Sequence, residues 1–400
     1  MSTKKVCIMG LGYIGLPTAA LLANRGHSVV GVDVKQEVVE TINQGKIHIV
    51  EPDLHTFVKA AVDSGSLRAQ MQPQEADVFF ICVPTPFVKG TVNNDPDMTY
   101  VNQAAEKIAP FVRAGNMVIL ESTSPVGSTE MVRDTLAASG VDTDSVAIAY
   151  CPERVLPGRI MHELVENDRI VGGINPESTK MVAEFYDTFV MGEVLRTDSR
   201  TAEMTKLVEN SSRDVQIAFA NELSIICDKL GINVWELIGL ANRHPRVNIL
   251  NPGTGVGGHC IAVDPWFLVS KTPEEAKIIR RAREINDSKT DWVIEKIQAA
   301  AKELGSNPVV ACMGIAFKPD IDDLRESPAL RVAESLQKAG VRIVVCEPNI
   351  RRHESFELVD SMTAVQQSDL VVFLVSHREF LDLPVPAEKK TLDFCGVRKC

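Results

Sequence analysis

Short apolar runs rich in β-branched residues alternate with helix-patterned stretches through the first 195 or so positions. Lys5–Met9, Ser28–Val32, Val78–Val83, Met117–Glu121 and Val146–Tyr150 are the predicted strands. Such alternation points to a parallel sheet wrapped by helices. Pro84-Thr85-Pro86 ends the third run abruptly, and Ser124-Pro125 follows the fourth. Ligands of such sheets bind beyond the carboxyl ends of the strands, so both loops are expected near one.

The pattern then changes. Ser199 to about Leu230 reads as one long helix, followed by helical segments at Val234–Ala241 and Glu274–Lys302. A mostly helical block between two α/β blocks suggests a central connecting domain, with long apolar helices suited to a dimer interface. From Pro308 the alternation resumes. Val309–Ile315 reads as a strand, Ser327-Pro328 as a capped helix start ending before Gly340, and Arg342–Cys346 as another strand. Ser368–Val375 echoes Glu75–Val83, which suggests a second, smaller sheet with no glycine fingerprint of its own. The expected class is α/β: two Rossmann-like parallel-sheet domains joined by a central helical domain, bounded at 1–198, 199–304 and 305–400.

Composition narrows the function classes. Four hundred residues suffice for two or three domains, and 45% hydrophobic with 24% charged residues is ordinary for a globular protein. A net charge of -11 argues against a broad nucleic-acid surface, although a few cations and backbone amides can still hold phosphates. No apolar run approaches the roughly 20 residues of a membrane span. The first residues lead directly into a strand with no cleavage site, so a cytoplasmic protein is expected. Nine cysteines without Cys-x-x-Cys pairs and eight scattered histidines give no zinc spacing, and no metal is expected. Cys7, Cys82, Cys312 and Cys346 fall in apolar runs and read as core residues.

Two motifs carry chemistry. Gly10-Leu11-Gly12-Tyr13-Ile14-Gly15 follows a strand and opens a helix, and the next strand ends in Asp33, 18 residues after Gly15. The glycines let backbone approach a pyrophosphate, and Asp33 would meet a ribose 2′-hydroxyl and repel a 2′-phosphate, favouring NAD over NADP. The second is Gly257-Gly258-His259-Cys260, with Asp264 four residues on. A helix beginning at Cys260 would lower the thiol pKa and bring Asp264 near the sulfur, whereas the bland reading is a buried structural cysteine. An alcohol dehydrogenase needs no cysteine; one that proceeds to the acid needs a nucleophile to hold the aldehyde.

Other residues are less decisive alone. Glu203, Lys206, Asn210, Arg213 and Asp214 share one face of the long helix, either as a solvated ion-paired face or as a buried lysine and amide placed to stabilise an oxyanion. Lys318 and Arg325, between a strand and a helix, could clasp a diphosphate or simply decorate a charged loop. His244-Pro245-Arg246 adds another cation.

Together these residues resemble the UDP-glucose/GDP-mannose dehydrogenases. The likeness runs nearly the whole chain, through Gly10–Pro17, Ile47–Leu54, Val83–Pro86, Glu121–Ser128, Tyr150–Gly158, Thr201–Asn210, Asn242–Asn248, Gly257–Phe267 and Phe317–Pro328. Ile47–Leu54 and Asn242–Asn248 draw it toward the N-acetylmannosamine branch, with N-acetylglucosamine and glucose nucleotides as alternatives. The resemblance implies oxidation of the sugar C6 alcohol to a carboxylate, through a thiohemiacetal and a thioester on Cys260, for surface-polysaccharide synthesis.

By the same resemblance Lys206 serves as acid/base or oxyanion stabiliser with Asn210 beside it, and Asp264 and Glu153 position or activate the hydrolytic water. NAD would contact Gly10, Gly12, Tyr13, Ile14, Gly15, Asp33, Thr85 and Thr123. The UDP-sugar would meet Arg154, Val155, Lys206, Asn210, Arg213, His244, Arg246, Gly257, Phe317, Lys318 and Arg325. Arg246 would reach across a homodimer interface. The register of a further C-terminal arginine is open; Arg398 is one candidate. Two readings compete: a single-step 3-hydroxyacid-type NAD dehydrogenase, which leaves Cys260 structural, and a nucleotide-sugar-binding regulator without turnover.

Overall fold

The computed structural model describes residues 3–156, 158–258 and 260–398. The chain divides into two compact units, 1–208 and 209–400, with the division falling inside the helix Ser199–Leu230.

The first unit is built on an eight-stranded sheet: β1 (Lys5–Met9), β2 (Ser28–Val32), β3 (Leu67–Gln70), β4 (Val78–Ile81), β5 (Met117–Leu120), β6 (Ala147–Tyr150), β7 (Arg169–Gly173) and β8 (Val194–Asp198). Their spatial order is β3-β2-β1-β4-β5-β6-β7-β8. All pairings are parallel except β6 with β7, which is antiparallel, so the expectation of a purely parallel sheet needs that one correction. Strands β4, β5 and β6 are buried on both faces, which explains their continuous apolar sequences. Alternate side chains feed two cores: Val6, Ile8, Phe80 and Ile119 pack on one side, Cys7, Met9, Phe79 and Val118 on the other.

Register decides where a ligand can sit. Met9 lies beside Val32 and Ile81, and Ile81 lies beside Leu120. The carboxyl ends of β2, β1, β4 and β5 are therefore level, and the loops starting at Gly10, Asp33, Cys82 and Glu121 open on one rim.

The second unit carries a four-stranded parallel sheet, β9 (Val309–Met313), β10 (Arg342–Cys346), β11 (Leu370–Phe373) and β12 (Lys390–Asp393), in the order β10-β9-β11-β12. Helix Pro328–Lys338 begins as its sequence suggests, with Ser327 Oγ accepting the Leu330 N–H at 3.3 Å. The unit also holds the second part of the helix Ser199–Leu230 and the helices Val234–Ala241, Asp264–Lys271, Lys277–Glu303, Ser361–Gln367 and Arg378–Leu381.

The two sheets share more than architecture. Asp77 Oδ2 accepts the Lys5 amide at 2.7 Å while its own amide donates to the Lys5 carbonyl at 2.8 Å. Asp369 makes the same exchange with Val309, both bonds at 2.8 Å. In each sheet, an aspartate ahead of one central strand thus fixes the start of its neighbour. The echo between Glu75–Val83 and Ser368–Val375 has this physical basis. A glycine also follows the first strand of each sheet, Gly10 at φ 92° and Gly314 at φ 88°.

Candidate active site

The rim of the first sheet is shaped for a dinucleotide. A Cβ on Gly10 would lie 2.6 Å from the Cys82 carbonyl oxygen, and one on Gly15 would collide with the Gly10 carbonyl oxygen. The residue after β4 thus closes Gly10 to a side chain, and the tightness of the turn itself closes Gly15. Gly12 faces open space, with nothing within 4 Å of where its Cβ would be. A phosphate can therefore approach the backbone at the start of the helix Gly15–Asn24. Asp33 accepts the Leu11 and Lys35 amides at 3.1 and 3.0 Å, which fixes the acid at the end of β2. Tyr13 and Ile14 are half-buried on the turn, and Thr85 Oγ1 donates to the Thr123 carbonyl at 2.7 Å, joining the loops after β4 and β5. The residues present thus fit NAD: glycine backbone for the pyrophosphate, a carboxylate for the ribose, and two threonine loops on the same rim.

Behind that rim lies a buried polar cluster that sequence reasoning did not anticipate. Glu121 accepts from the Tyr186 hydroxyl at 2.8 Å, from Cys82 Sγ at 3.2 Å and from Thr18 Oγ1 at 3.4 Å. Burial, together with the charge of Glu153, pushes its carboxyl up to about 7, with Arg169 opposing. Glu153 itself is bound through both oxygens by the buried Arg169 guanidinium, whose Nη2 also donates to the Leu164 carbonyl at 2.8 Å. The residue named as a possible water activator is thus an ion-paired carboxylate. Arg154, beside it, donates to the Asp168 carbonyl at 3.3 Å, and Val155 packs on the first core.

On the long helix the polar face separates into distinct environments. Glu203 is fully buried and takes the Gly127 amide at 2.6 Å and the Thr129 amide and hydroxyl at 2.7 Å each, capping the helix Ser128–Ala138. Asp214 is fully buried against Arg283, at 2.6 Å, and Asn286, at 2.8 Å. The solvated-face reading therefore fails for these two acids. Arg213 is exposed. Lys206 is only 8% exposed, and its ammonium has no hydrogen-bond or ion-pair partner among the described residues. Its charge would stabilise an anion or oxyanion bound within reach. Asn210, one turn on, donates to Asp264 Oδ2 at 2.5 Å.

The cysteine lies at the exit of a glycine loop clasped by two helices. Asn221 Oδ1 accepts the Gly253 amide at 2.9 Å, and Thr290 Oγ1 donates to the Thr254 carbonyl at 2.9 Å. A Cβ on Gly257 would lie 2.5 Å from the Glu326 carbonyl oxygen and 2.8 Å from Phe317 Cβ. Gly258 donates its amide to the Arg325 carbonyl at 3.1 Å. The glycine loop that leads to Cys260 and the Phe317–Arg325 loop are thus built against each other.

Cys260 is exposed, and its carbonyl accepts the Val263 and Asp264 amides at 3.0 and 2.8 Å. The regular helix starts at Asp264 rather than at the expected Cys260. Pro265 explains the shift: it fits a first helical turn and supplies no amide of its own. Asp264 is buried, 2% exposed, one turn from the cysteine along the chain.

Lys318 is half-buried, its Nζ 5.7 Å from the Phe317 ring centroid, and the Arg325 guanidinium is paired with Asp323. His244 and Arg246 sit on an exposed turn after the helix Val234–Ala241. Among the described residues their side chains make one hydrogen bond, from the Arg246 amide to His244 Nδ1 at 3.3 Å. Arg398 donates to the Leu383 carbonyl at 3.1 Å. Asp320, His377 and Glu379 converge like a metal triad. However, both His377 nitrogens are engaged: Nδ1 with the Asp320 amide at 2.9 Å, and Nε2 with Glu347 at 3.1 Å.

A dinucleotide rim on one sheet, a second sheet of the same design and a cysteine on a clasped glycine loop define an NAD-dependent oxidoreductase. Family models match the chain over residues 4–190 as the NAD binding domain, 200–288 as the central domain and 311–397 as the UDP binding domain of the UDP-glucose/GDP-mannose dehydrogenases. The chain belongs to this family. It is 53% identical to a UDP-N-acetyl-D-mannosamine dehydrogenase of Campylobacter jejuni, over 98% of this chain and 99% of that one. It is 52% identical to an NDP-N-acetyl-D-galactosaminuronic acid dehydrogenase of Ralstonia nicotianae, over 95% and 92%. Among solved structures it resembles the UDP-N-acetyl-mannosamine dehydrogenase of Staphylococcus aureus, with a TM-score of 0.88 at 39% identity over 98% of this chain and 99% of that one.

Proposed function

We propose that this chain oxidises UDP-N-acetyl-D-mannosamine at C6, in two NAD-dependent steps, to UDP-N-acetyl-D-mannosaminuronate. The observation that carries the chemistry is the arrangement of the long helix and the cysteine turn. Exposed Cys260 precedes Asp264, which Asn210 grips, while Lys206, one turn earlier on the same helix, is buried without a partner. Relatives more than half identical over nearly the full length support the substrate.

The Gly10–Gly15 turn, Asp33 and the Thr85 and Thr123 loops would hold NAD, which would supply the hydride acceptor for each oxidation. Lys206 takes the alcohol proton or balances the developing alkoxide. The Cys260 thiolate adds to the aldehyde carbon as a thiohemiacetal, which keeps the substrate bound for the second oxidation to a thioester. Water then displaces the thiolate, with Asp264 as base and Asn210 as its orienting partner. Glu153, fixed by Arg169, would organise that water rather than take its proton. Arg154, Val155, Arg213, His244, Arg246, Gly257, Phe317, Lys318 and Arg325 are the proposed nucleotide-sugar contacts, and 1–198, 199–304 and 305–400 the functional domains.

A homodimer belongs to the same reading. Met204, Val208, Phe219, Ile226 and Leu230 expose an apolar stripe at helix-compatible intervals of four, eleven, seven and four along one helix. Among the described residues no helix is long and apolar enough to cross a membrane, and a cytoplasmic role in supplying surface polysaccharide fits.

The Ralstonia nicotianae relative favours a second substrate, a galactosamine nucleotide. Relative kcat/KM for UDP-N-acetylmannosamine, UDP-N-acetylgalactosamine, UDP-N-acetylglucosamine and UDP-glucose separates the readings. The proposal expects the mannosamine nucleotide to lead; a lead for the galactosamine nucleotide moves the assignment to that sugar.

A further inference from the structure

The Ile47–Leu54 segment is one of the motifs that carry the family resemblance, yet none of its residues has been given a task. One of them, Glu51, is 5% exposed, and both of its carboxylate oxygens are committed. Oε2 accepts the Gly158 amide and Oε1 the Ile160 amide, each at 2.8 Å. These amides lie 107 and 109 residues further along the chain. They belong to the loop after β6 that carries Glu153, Arg154 and Val155, and to the start of the helix Ile160–Glu166.

That helix has no side-chain cap of its own at Arg159, so Glu51 supplies one from a distant segment. A carboxylate suits the place: it complements the positive end of a helix and makes charge-assisted bonds to two amides that would otherwise lack partners. Gly158 has φ 92°, a conformation open to glycine, which lets the turn present its amide to the acid.

Several further restraints on this loop are local. Asn167 Nδ2 donates to the Arg154 carbonyl at 3.2 Å, the Leu156 amide to Glu163 Oε2 at 2.7 Å, and Arg169 binds Glu153, all within 16 residues. Glu51 has no other hydrogen-bond or ion-pair partner among the described residues. Its loss should therefore act on this loop and not on the dinucleotide rim.

We propose that Glu51 is a positioning residue for sugar recognition, fixing the backbone that aims Arg154 and Val155 at the hexosamine. The segment 47–54 then influences which nucleotide sugar is accepted without touching it. This inference rests on the reading that Arg154 and Val155 contact the sugar.

The test compares Glu51→Ala, Glu51→Gln and Arg154→Ala with wild type, using the UDP-sugar turned over fastest. Steady-state kinetics give KM and kcat, fluorescence titration gives NAD affinity, and thermal melts report folding. Glu51→Ala should raise the sugar KM about 10-fold or more, with a smaller change in kcat and unchanged NAD affinity. Glu51→Gln, which keeps one accepting oxygen, should fall between. The ratio of kcat/KM for UDP-N-acetylmannosamine over its C2 epimer UDP-N-acetylglucosamine should narrow. An unchanged sugar KM and ratio in both Glu51 variants, with Arg154→Ala impaired, would overturn the role of Glu51. A parallel loss of sugar affinity, NAD affinity and melting temperature would make Glu51 merely structural, which also overturns it. If Arg154→Ala leaves the sugar KM unchanged, the assignment of this loop to the sugar fails, and the inference fails with it.

Discussion

Asn210 donates a hydrogen bond to Asp264 at 2.5 Å, tying the long helix to the residue that starts the helix behind Cys260. The bond leaves Asp264 an oriented acceptor in a buried setting, as a base for thioester hydrolysis needs. Asp264→Asn keeps the shape but removes the basic oxygen. Turnover should fall by about 100-fold or more, since the general base is lost. The sugar should then accumulate as a thioester on Cys260, visible as a mass increase in intact-protein spectra. Slow turnover with no adduct would place Asp264 before, not after, thioester formation.

Glu121 gives the first unit a distinctive pH dependence. Its carboxyl is raised from 4.5 to about 7, first by burial and then by the charge of Glu153. Between these values the folded chain holds a proton that the unfolded chain has released. Stability contributed by this group is therefore present below about 4.5 and is lost as pH rises toward 7, at up to about 1.4 kcal/mol per pH unit for one proton. Glu121→Gln should flatten that part of the stability curve, measured by denaturant unfolding at several pH values. Parallel curves for wild type and variant would show that Glu121 ionises normally.

Gly257 tests how the two loops of the second unit share space. A Cβ there would press on the Glu326 carbonyl oxygen and Phe317 Cβ. Gly257→Ala should destabilise the protein by about 1–3 kcal/mol through overpacking. By displacing the Phe317–Arg325 loop it should also weaken UDP-sugar binding, with NAD affinity retained. Calorimetric titration with UDP and with NAD distinguishes the effects. Equal losses for both ligands would refute a local mechanism.

The legible parts of the fold were those whose signals are local. Strands β1, β2, β4, β5 and β6 are mostly buried, apolar and β-branched, and each showed in the sequence. Strands β3 and β8 lie at the two edges of the sheet with mixed burial, and their polar residues hid them. β7 begins with Arg169, which reads as a surface residue until Glu153 is found beside it.

The site followed the same rule. The glycine turn, Asp33 and the cysteine loop are contiguous motifs. Glu203 and Asp214 looked like members of a solvated face because their partners, Thr129 and Arg283, lie 74 and 69 residues away. The start of the helix behind Cys260 is encoded in Pro265, which fits a first turn, and not in the glycine run that precedes the cysteine.

Four-electron oxidation through Cys260 fixes the number of NADH released per UDP-N-acetylmannosamine consumed, and that ratio is the measurement to make. The count is made for wild type and for Cys260→Ala, with the acid product assayed alongside. Two NADH per sugar in wild type, and no acid from the variant, is the expected result. One NADH per sugar, with the variant equally active, would contradict it and leave Cys260 as a structural residue of a single-step dehydrogenase.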